Sequence, residues 1–415
     1  MDFKKMMKGS LAALMACTLA ACGSSSAAAS SAAPAASTEA AASTEAAAPA
    51  AGTQTFKLGG SGPLTGDDAV YGNAVKNAAQ IAVDEINAAG GPVAFELNFQ
   101  DDQADGEKAV NAYNTLVDWG MQVSLATTTS GAGQAVSPLY QQDKIFAITP
   151  SGSSTSVIYA DGDAGTQSYG NVFQMCFTDP NQGVASAYYL ASHTDLGSKV
   201  AIIWRNDDNY SKGLHDNFVK EAGEKGLEIV ADTTFTGDAT DFSVQVKQAQ
   251  DAGADIVFLP IYYKPASLIL TAAKAAGYAP TFFGCDGMDG ILTQDGFDTT
   301  LAEGLYMLTP FSADASDEKT QNFVKKYQDA YGEIPNQFAA DAYDAVYAIA
   351  QALEQSGVTA DSDNATICDA VVGQFTSMTF QGITGTGDIT WKATGEVMKG
   401  PKAIVIKDGT YVSAE

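Results

Sequence analysis

From Thr55 onward the chain alternates short apolar runs with longer stretches in which apolar residues recur every three or four positions. The short runs predict strands at 56–60, 95–100, 123–126 and 145–148, and the longer ones predict helices at 72–89, 107–119 and 132–142. In the first of these helices Ala74, Ala78, Ile81, Ala82 and Ile86 share one side, and Gly90-Gly91 ends it. The rhythm restarts with helix 182–192 before strand 199–204, helix 211–225 before strand 227–232, helix 241–252 before strand 255–259, and helix 265–276 before a short strand at 281–283. Strict alternation predicts parallel sheets covered by helices on both faces, and two blocks predict two doubly wound α/β lobes. The tail differs: helices near 316–331 and 337–356 precede short strands at 387–391, 402–406 and 410–412. In such sheets functional side chains sit beyond the carboxyl ends of the strands. That directs attention to the loops 60–72, 127–134, 149–156, 205–211, 260–265 and 284–290.

The N-terminal residues read as processing rather than fold. Lys4, Lys5 and Lys8 form a basic region, and Gly9 to Leu19 is apolar but too short to span a bilayer. This stretch runs into Leu19-Ala20-Ala21-Cys22, which resembles the bacterial lipoprotein cleavage box. The expectation is a signal peptide at 1–21 and a lipid-modified Cys22. Residues 22–54 are dominated by Ala, Ser, Thr, Pro and Glu, with Ser-Thr-Glu-Ala-Ala occurring twice. Such a segment lacks the side chains to build a core and predicts a solvated tether.

Charge narrows the function. The formal net charge is −27, and Arg205 is the single arginine. A chain this acidic has no footprint for phosphate backbones, so no nucleic-acid partner is expected. It also repels anionic lipid, which leaves the lipid on Cys22 as the membrane link. With Cys17 in the leader and Cys22 lipidated, Cys176, Cys285 and Cys368 remain, an odd number without a CxxC. A bridge between Cys176 and Cys368 stays open at this point.

Enzyme signatures fail one after another. Gly60-Ser61-Gly62-Pro63-Leu64-Thr65-Gly66 has its third glycine one place late for a dinucleotide loop, with Pro63 inside the turn. His193 and His215 are the only histidines, too few for a metal cluster or an extended relay, and no GxSxG elbow occurs. No cofactor, metal or catalytic residue is expected.

The strand-end loops resemble those of the leucine/isoleucine/valine-binding protein family, the type I periplasmic binding proteins of ABC importers. The resemblance rests on Gly60-Ser61-Gly62-Pro63, Tyr71-Gly72, Asp84-Glu85-Ile86-Asn87-Ala88-Ala89-Gly90-Gly91, Ile148-Thr149-Pro150-Ser151, Asp207-Asp208-Asn209-Tyr210-Ser211-Lys212-Gly213, Asp241-Phe242 and Gly284-Cys285-Asp286-Gly287. It runs from about Thr55 to the C-terminus. It implies two α/β lobes joined by three crossings near Thr178, Pro310 and Pro401, with ligand in the cleft between them. One lobe is then 55–178 plus 311–400, and the other 179–310 plus 401–415. The small disulfide loop of some members is absent, since Asp101-Asp102-Gln103-Ala104-Asp105 carries no cysteine.

The loop chemistry suits a zwitterion. A carboxylate wants hydroxyls and the N–H groups at a helix N-terminus, which Ser130-Gly131-Ala132-Gly133 supplies ahead of helix 132–142. Ser151 and Ser153, on the next loop, converge on the same point, and the resemblance assigns these positions to the α-carboxylate. Asp286, between Gly284 and Gly287, matches the acidic partner of the α-ammonium. Tyr71, Tyr210 and Tyr262 match aromatic cleft positions, with Tyr263 as the alternative to Tyr262. The implied protein is an extracytoplasmic, lipid-anchored, monomeric binding protein. It carries a small, apolar amino acid to ABC permease subunits. The rival ligands are an amide, urea or an aromatic acid. The rival roles are a sensor subunit and an enzyme using cleft carboxylates.

Overall fold

The structure, a computed structural model, describes residues 52–414. The expected leader at 1–21, the lipidation site Cys22 and nearly all of the 22–54 tether lie outside the described residues. Thr53 already hydrogen-bonds Gly91 through its hydroxyl at 2.9 Å, and the first strand starts one residue later.

The first block forms β1 (Gln54–Gly62), α1 (Ala69–Ala89), β2 (Val93–Asp101), α2 (Gly106–Trp119), β3 (Val123–Thr127), α3 (Ser130–Asp143), β4 (Phe146–Thr149) and β5 (Val172–Gln174). Its strands make a parallel sheet in the order β2-β1-β3-β4-β5. The second block forms α4 (Asp179–Ser192), β6 (Lys199–Arg205), α5 (Asn209–Lys225), β7 (Glu228–Phe235), α6 (Ser243–Asp251), β8 (Ile256–Leu259), α7 (Tyr263–Ala275), β9 (Thr281–Gly284) and β10 (Tyr306–Thr309). The chain then builds α8 (Glu318–Tyr331), α9 (Gln337–Ser356), α10 (Asn364–Phe375), β11 (Thr390–Trp391), β12 (Val397–Met398), β13 (Lys402–Lys407) and β14 (Thr410–Ser413). The second sheet runs β14-β13-β10-β9-β8-β6-β7, with β13 and β14 antiparallel at its edge. The protein is thus two α/β lobes with the chain passing between them three times: between β5 and α4, between β10 and α8, and between β12 and β13.

Each lobe buries its central strands because they are apolar on both faces, as a helix-covered parallel sheet requires. In lobe 1, Phe56, Leu58, Val123, Leu125, Phe146 and Ile148 are fully buried, and α9 packs along α1 over them. Phe146, Phe173 and Phe375 form a ring cluster with centroids 4.6–5.4 Å apart. Each such ring contributes about 1.5–3 kcal/mol of burial. In lobe 2, Val200, Ile202, Ile256, Phe258 and Phe283 face α4 and α5, with Phe218 stacked on Phe258 at 4.0 Å. The other face of that sheet joins a core that continues into α1 and α9 of lobe 1.

Four elements escape the sequence pattern: β5, β10, β12 and α10. β5 is three residues long and offers no apolar run to read. α10 carries an apolar stripe of Ile367, Val371 and Phe375, but Asp363 starts it by capping the Thr366 N–H at 2.8 Å in a segment that reads as turn. The three remaining cysteines are all free and buried, so Cys176 and Cys368 do not pair.

Candidate functional site

The strand-end loops of both lobes meet around a cavity with about 230 Å³ of empty space. Six of the seven expected ligand-binding residues line it: Tyr71, Ser130, Ser151, Tyr210, Tyr262 and Asp286. Thr128, Thr129, Gly287 and Phe338 complete the wall.

Lobe 1 supplies a wall of donors. α3 begins at Ser130, two residues earlier than the apolar pattern suggests, because Thr129 turns extended and its carbonyl accepts the Gly133 N–H at 2.9 Å. The first N–H groups of a helix have no partner within it, and Thr129 makes no side-chain cap. The Thr129 hydroxyl is buried, lines the cavity and has no hydrogen-bond partner. Ser130 Oγ accepts the Ser154 N–H at 3.1 Å, which leaves its own proton to give. The next loop is pinned from below: Thr149 Oγ1 accepts the N–H groups of Ser151 and Gly152, at 3.3 and 2.7 Å, and Gln174 Nε2 donates to the Gly152 and Ser154 carbonyls. Ser151 is held at the cavity edge by this frame. Ser153 is 1% exposed and its hydroxyl is also without a partner, but it does not line the cavity. Its carbonyl accepts the Asp179 N–H at 3.0 Å, beside the first passage between lobes.

Lobe 2 supplies aromatic rings around one acid. Asp286 follows β9 and is 4% exposed. Tyr210 OH and the Gly287 N–H donate to its Oδ1 at 2.6 and 2.8 Å. Gln182 accepts the Asp286 N–H at 3.2 Å, and Gln337 donates to its carbonyl at 3.1 Å, so the residue is fixed from both sides. Burial pushes its carboxyl up to about 6, against the opposing effect of Tyr210, Gln182 and the Gly287 N–H. Gly287 is the residue this turn tolerates: a Cβ there would stand 2.6 Å from Tyr210 Oη and 2.9 Å from the Ile261 carbonyl. Tyr262 stacks on Tyr210 at 4.9 Å and meets Tyr71 edge-on at 5.5 Å. Burial raises the phenols of Tyr71, Tyr210 and Tyr262, so all three stay protonated, and Tyr71 and Tyr210 donate to the Gly287 carbonyl and Asp286. Cys285, beside Asp286, belongs to the core; burial pushes its thiol up, and it contacts Ser186 Oγ at 3.6 Å.

The cleft is closed. Tyr71 of lobe 1 donates to the Gly287 carbonyl at 2.5 Å and accepts the Tyr263 N–H at 3.2 Å. Tyr263 OH donates to the Asp67 carbonyl at 2.5 Å, Lys264 pairs with Asp67 at 3.1 Å, and Asn209 bonds Gln134 across the opening. Tyr263 therefore joins the lobes, while Tyr262 faces the cavity. Among the described residues no group of three potential metal ligands occurs, and no helix is long and apolar enough to cross a membrane.

The model of the family described as periplasmic binding protein matches residues 55–407. The chain belongs to this family. It is 31% identical to the Leu/Ile/Val-binding protein BraC3 of Rhizobium johnstonii over 309 residues, which covers 72% of this chain and 79% of the relative. It is 24% identical to the leucine-, isoleucine-, valine-, threonine- and alanine-binding protein of Pseudomonas aeruginosa, over 83% of this chain and 87% of that one. The fold superposes on the branched-chain amino acid transporter substrate-binding protein LivJ of Streptococcus pneumoniae, solved with isoleucine. That match has a TM-score of 0.77 and 27% identity, covering 87% of this chain and 99% of the other. A benzoate complex of a solute-binding protein from R. palustris shares the fold at 20% identity and a TM-score of 0.75.

As a periplasmic binding protein the chain is an extracytoplasmic solute binder of an ABC transporter, and not an enzyme. Reading the sequence alone missed Thr129 and Phe338. Thr129 was hidden by the misplaced start of α3. Phe338 lies at the start of a long helix, 3% exposed and 4.6 Å from the Tyr71 ring, and nothing local marks it as a cleft residue.

Proposed function

We propose that the protein captures a small, apolar, branched-chain-type amino acid and delivers it to ABC permease subunits. The observation that carries this reading is the polarity of the closed cavity. Hydroxyls and a helix N-terminus stand on lobe 1, and one buried carboxylate stands on lobe 2. An amino acid presents its two charges from a single carbon, so only such a split wall pairs both. On this reading Ser130, Thr129 and the Ser151 backbone hold the α-carboxylate, with Ser153 behind them. Asp286 holds the α-ammonium, and the rings of Tyr71, Tyr210, Tyr262 and Phe338 cover the side chain. A buried unpaired charge is costly, so Asp286 disfavours an aromatic acid that lacks an ammonium. The lobes, 55–178 plus 311–400 and 179–310 plus 401–415, close by rotation about the three passages near Thr178, Pro310 and Pro401. The protein acts as a monomer held at the cell membrane by lipid on Cys22.

The test is calorimetric titration of residues 55–415 with leucine, isoleucine, valine, urea, acetamide and benzoate. The reading expects the amino acids to bind and the other three to fail. Binding of benzoate alone would overturn it. For the anchor, Cys22→Ser is expected to release the protein from membranes with ligand affinity unchanged, and retention of that variant would refute lipidation.

A further inference from the structure

A second cavity lies beyond Tyr262, with about 980 Å³ of empty space open to solvent. Tyr262 is the one residue lining both cavities. The outer chamber has an apolar floor, including Phe235, Ile261 and Leu268, and a charged roof.

Two partly exposed groups in that roof keep hydrogen-bonding capacity that no group among the described residues takes up. Arg205 is fixed through its Nε, which donates to Asp207 at 2.7 Å, and its guanidinium lies where a Cβ on Gly237 would clash at 2.3 Å. Among the described residues no acceptor takes its two terminal nitrogens, although it is half-buried. Asp68, from lobe 1, lines the same chamber, and its carboxylate has neither a hydrogen bond nor an ion pair. The two feel each other's charge but do not pair. Asp67 and Lys264 pair with one another, Asp208 caps α5 through the Ser211 N–H at 2.8 Å, and Asp238 accepts from Thr236; Asp208 acts on Arg205 and Asp68, and Lys264 on Asp68, through charge alone, without direct contact. Burial pushes the Asp68 carboxyl up to about 6, with Asp208 adding to the rise and Arg205 opposing it.

We propose that this chamber receives the distal end of the ligand's side chain, and that Arg205 and Asp68 select there a neutral group that both accepts and donates, such as a terminal amide or ureido. The carbonyl oxygen takes the free N–H groups of Arg205, which present a planar fork to an acceptor. The NH₂ donates to Asp68 on the opposite lobe, so the distal group also bridges the closed cleft. A cationic end meets the guanidinium, an anionic end meets Asp68, and an alkyl end leaves both groups unpaired. The proposal rests on the amino-acid reading of the inner cavity and extends it from apolar to longer, amide-ended side chains.

The experiment titrates the protein with leucine, citrulline and arginine by calorimetry, in wild type and in the Arg205→Met, Asp68→Ala and Asp286→Asn variants. Citrulline is expected to bind wild type more tightly than leucine or arginine. Arg205→Met is expected to weaken citrulline about 10- to 150-fold, the loss of a hydrogen bond to a charged group. Leucine is expected to stay within about twofold, as for a substitution away from its contacts, and this shows that the variant is folded. Arg205→Lys keeps the charge without the fork and is expected to recover only part of the citrulline affinity. An unchanged citrulline-to-leucine ratio in Arg205→Met, or tighter binding of arginine than citrulline, overturns the proposal while leaving the amino-acid reading intact. If Asp286→Asn leaves leucine and citrulline bound as in wild type, the amino-acid reading itself fails.

Discussion

The two walls of the cleft solve opposite electrostatic problems by different means. On the proposed reading the lobe 1 wall receives an anion without any formal positive charge: its donors are hydroxyls and the first N–H groups of α3. These dipoles are built into a framework that Thr149 and Gln174 hold in place. On the same reading the lobe 2 wall receives a cation with one full charge, Asp286, which lies buried beside the stacked rings of Tyr210 and Tyr262. Dipoles cost little to bury when they are fixed, whereas a carboxylate costs a great deal until it is paired. The difference teaches where selectivity resides. If these roles hold, lobe 1 would accept many carboxylates and lobe 2 would select for an ammonium. Neither wall completes the site alone, so a ligand carrying both charges stabilises the closed arrangement.

The largest expected effect attacks the costly wall. Asp286→Asn keeps an acceptor for Tyr210 and Gly287 but leaves the ligand's ammonium unpaired. Losing one partner of a buried charged pair costs about 2–5 kcal/mol, or roughly 30- to several-thousand-fold in affinity. Calorimetry with leucine measures it, and a loss below threefold would place the cation elsewhere. Attacking the dipolar wall comes next. Ser130→Ala removes one of several donors to the carboxylate, about 1.5–3 kcal/mol, and the loss is expected to be smaller than for Asp286→Asn. A larger loss would reverse the ranking of the walls.

The walls also differ in their response to acid. The lobe 1 donors do not titrate, while burial pushes the Asp286 carboxyl up to about 6. A protonated carboxyl cannot pair with an ammonium, so affinity is expected to hold above that value. It should fall as pH drops through it, by at most about tenfold per unit for one proton. Asp289 and Asp341 are also buried acids pushed up, to about 6 and about 7, and Asp286→Asn separates their effect from its own. A titration series from pH 8 to 5 that stays flat in the wild type would remove Asp286 from the role. The smallest expected effect is at the seam. Tyr71→Phe deletes the bond to the Gly287 carbonyl and the acceptor for the Tyr263 N–H. A hydrogen bond is worth about 0.5–1.5 kcal/mol, so affinity is expected to fall about two- to tenfold, chiefly through faster ligand release in stopped-flow measurements.

The asymmetry was partly legible in the sequence. Alternating apolar periods predict both lobes because a parallel sheet needs apolar strands and amphipathic helices, and the pattern carries that directly. Asp286 follows a strand between glycines, and Tyr71, Tyr210 and Tyr262 stand at the starts of α1, α5 and α7 beside polar strand-end loops, where an acid or a ring is conspicuous. The dipolar wall was harder to read. A backbone N–H has no sequence signature, and placing the start of α3 at 132 instead of Ser130 concealed Thr129. Phe338 and the Arg205–Asp68 chamber are brought to the cleft by tertiary packing and by lobe closure, which no local pattern encodes.

The central claim is that one wall reads the ammonium and the other reads the carboxylate. A double-mutant cycle on the ligand tests it most directly. Leucine and its des-amino analogue 4-methylpentanoate are titrated into the wild type and Asp286→Asn. The account predicts that removing the ammonium and removing Asp286 are strongly non-additive: the analogue binds wild type weakly and loses little more in the variant, since each change already breaks the same pair. If both changes weaken binding independently and their effects add, Asp286 does not hold the ammonium and the account is wrong.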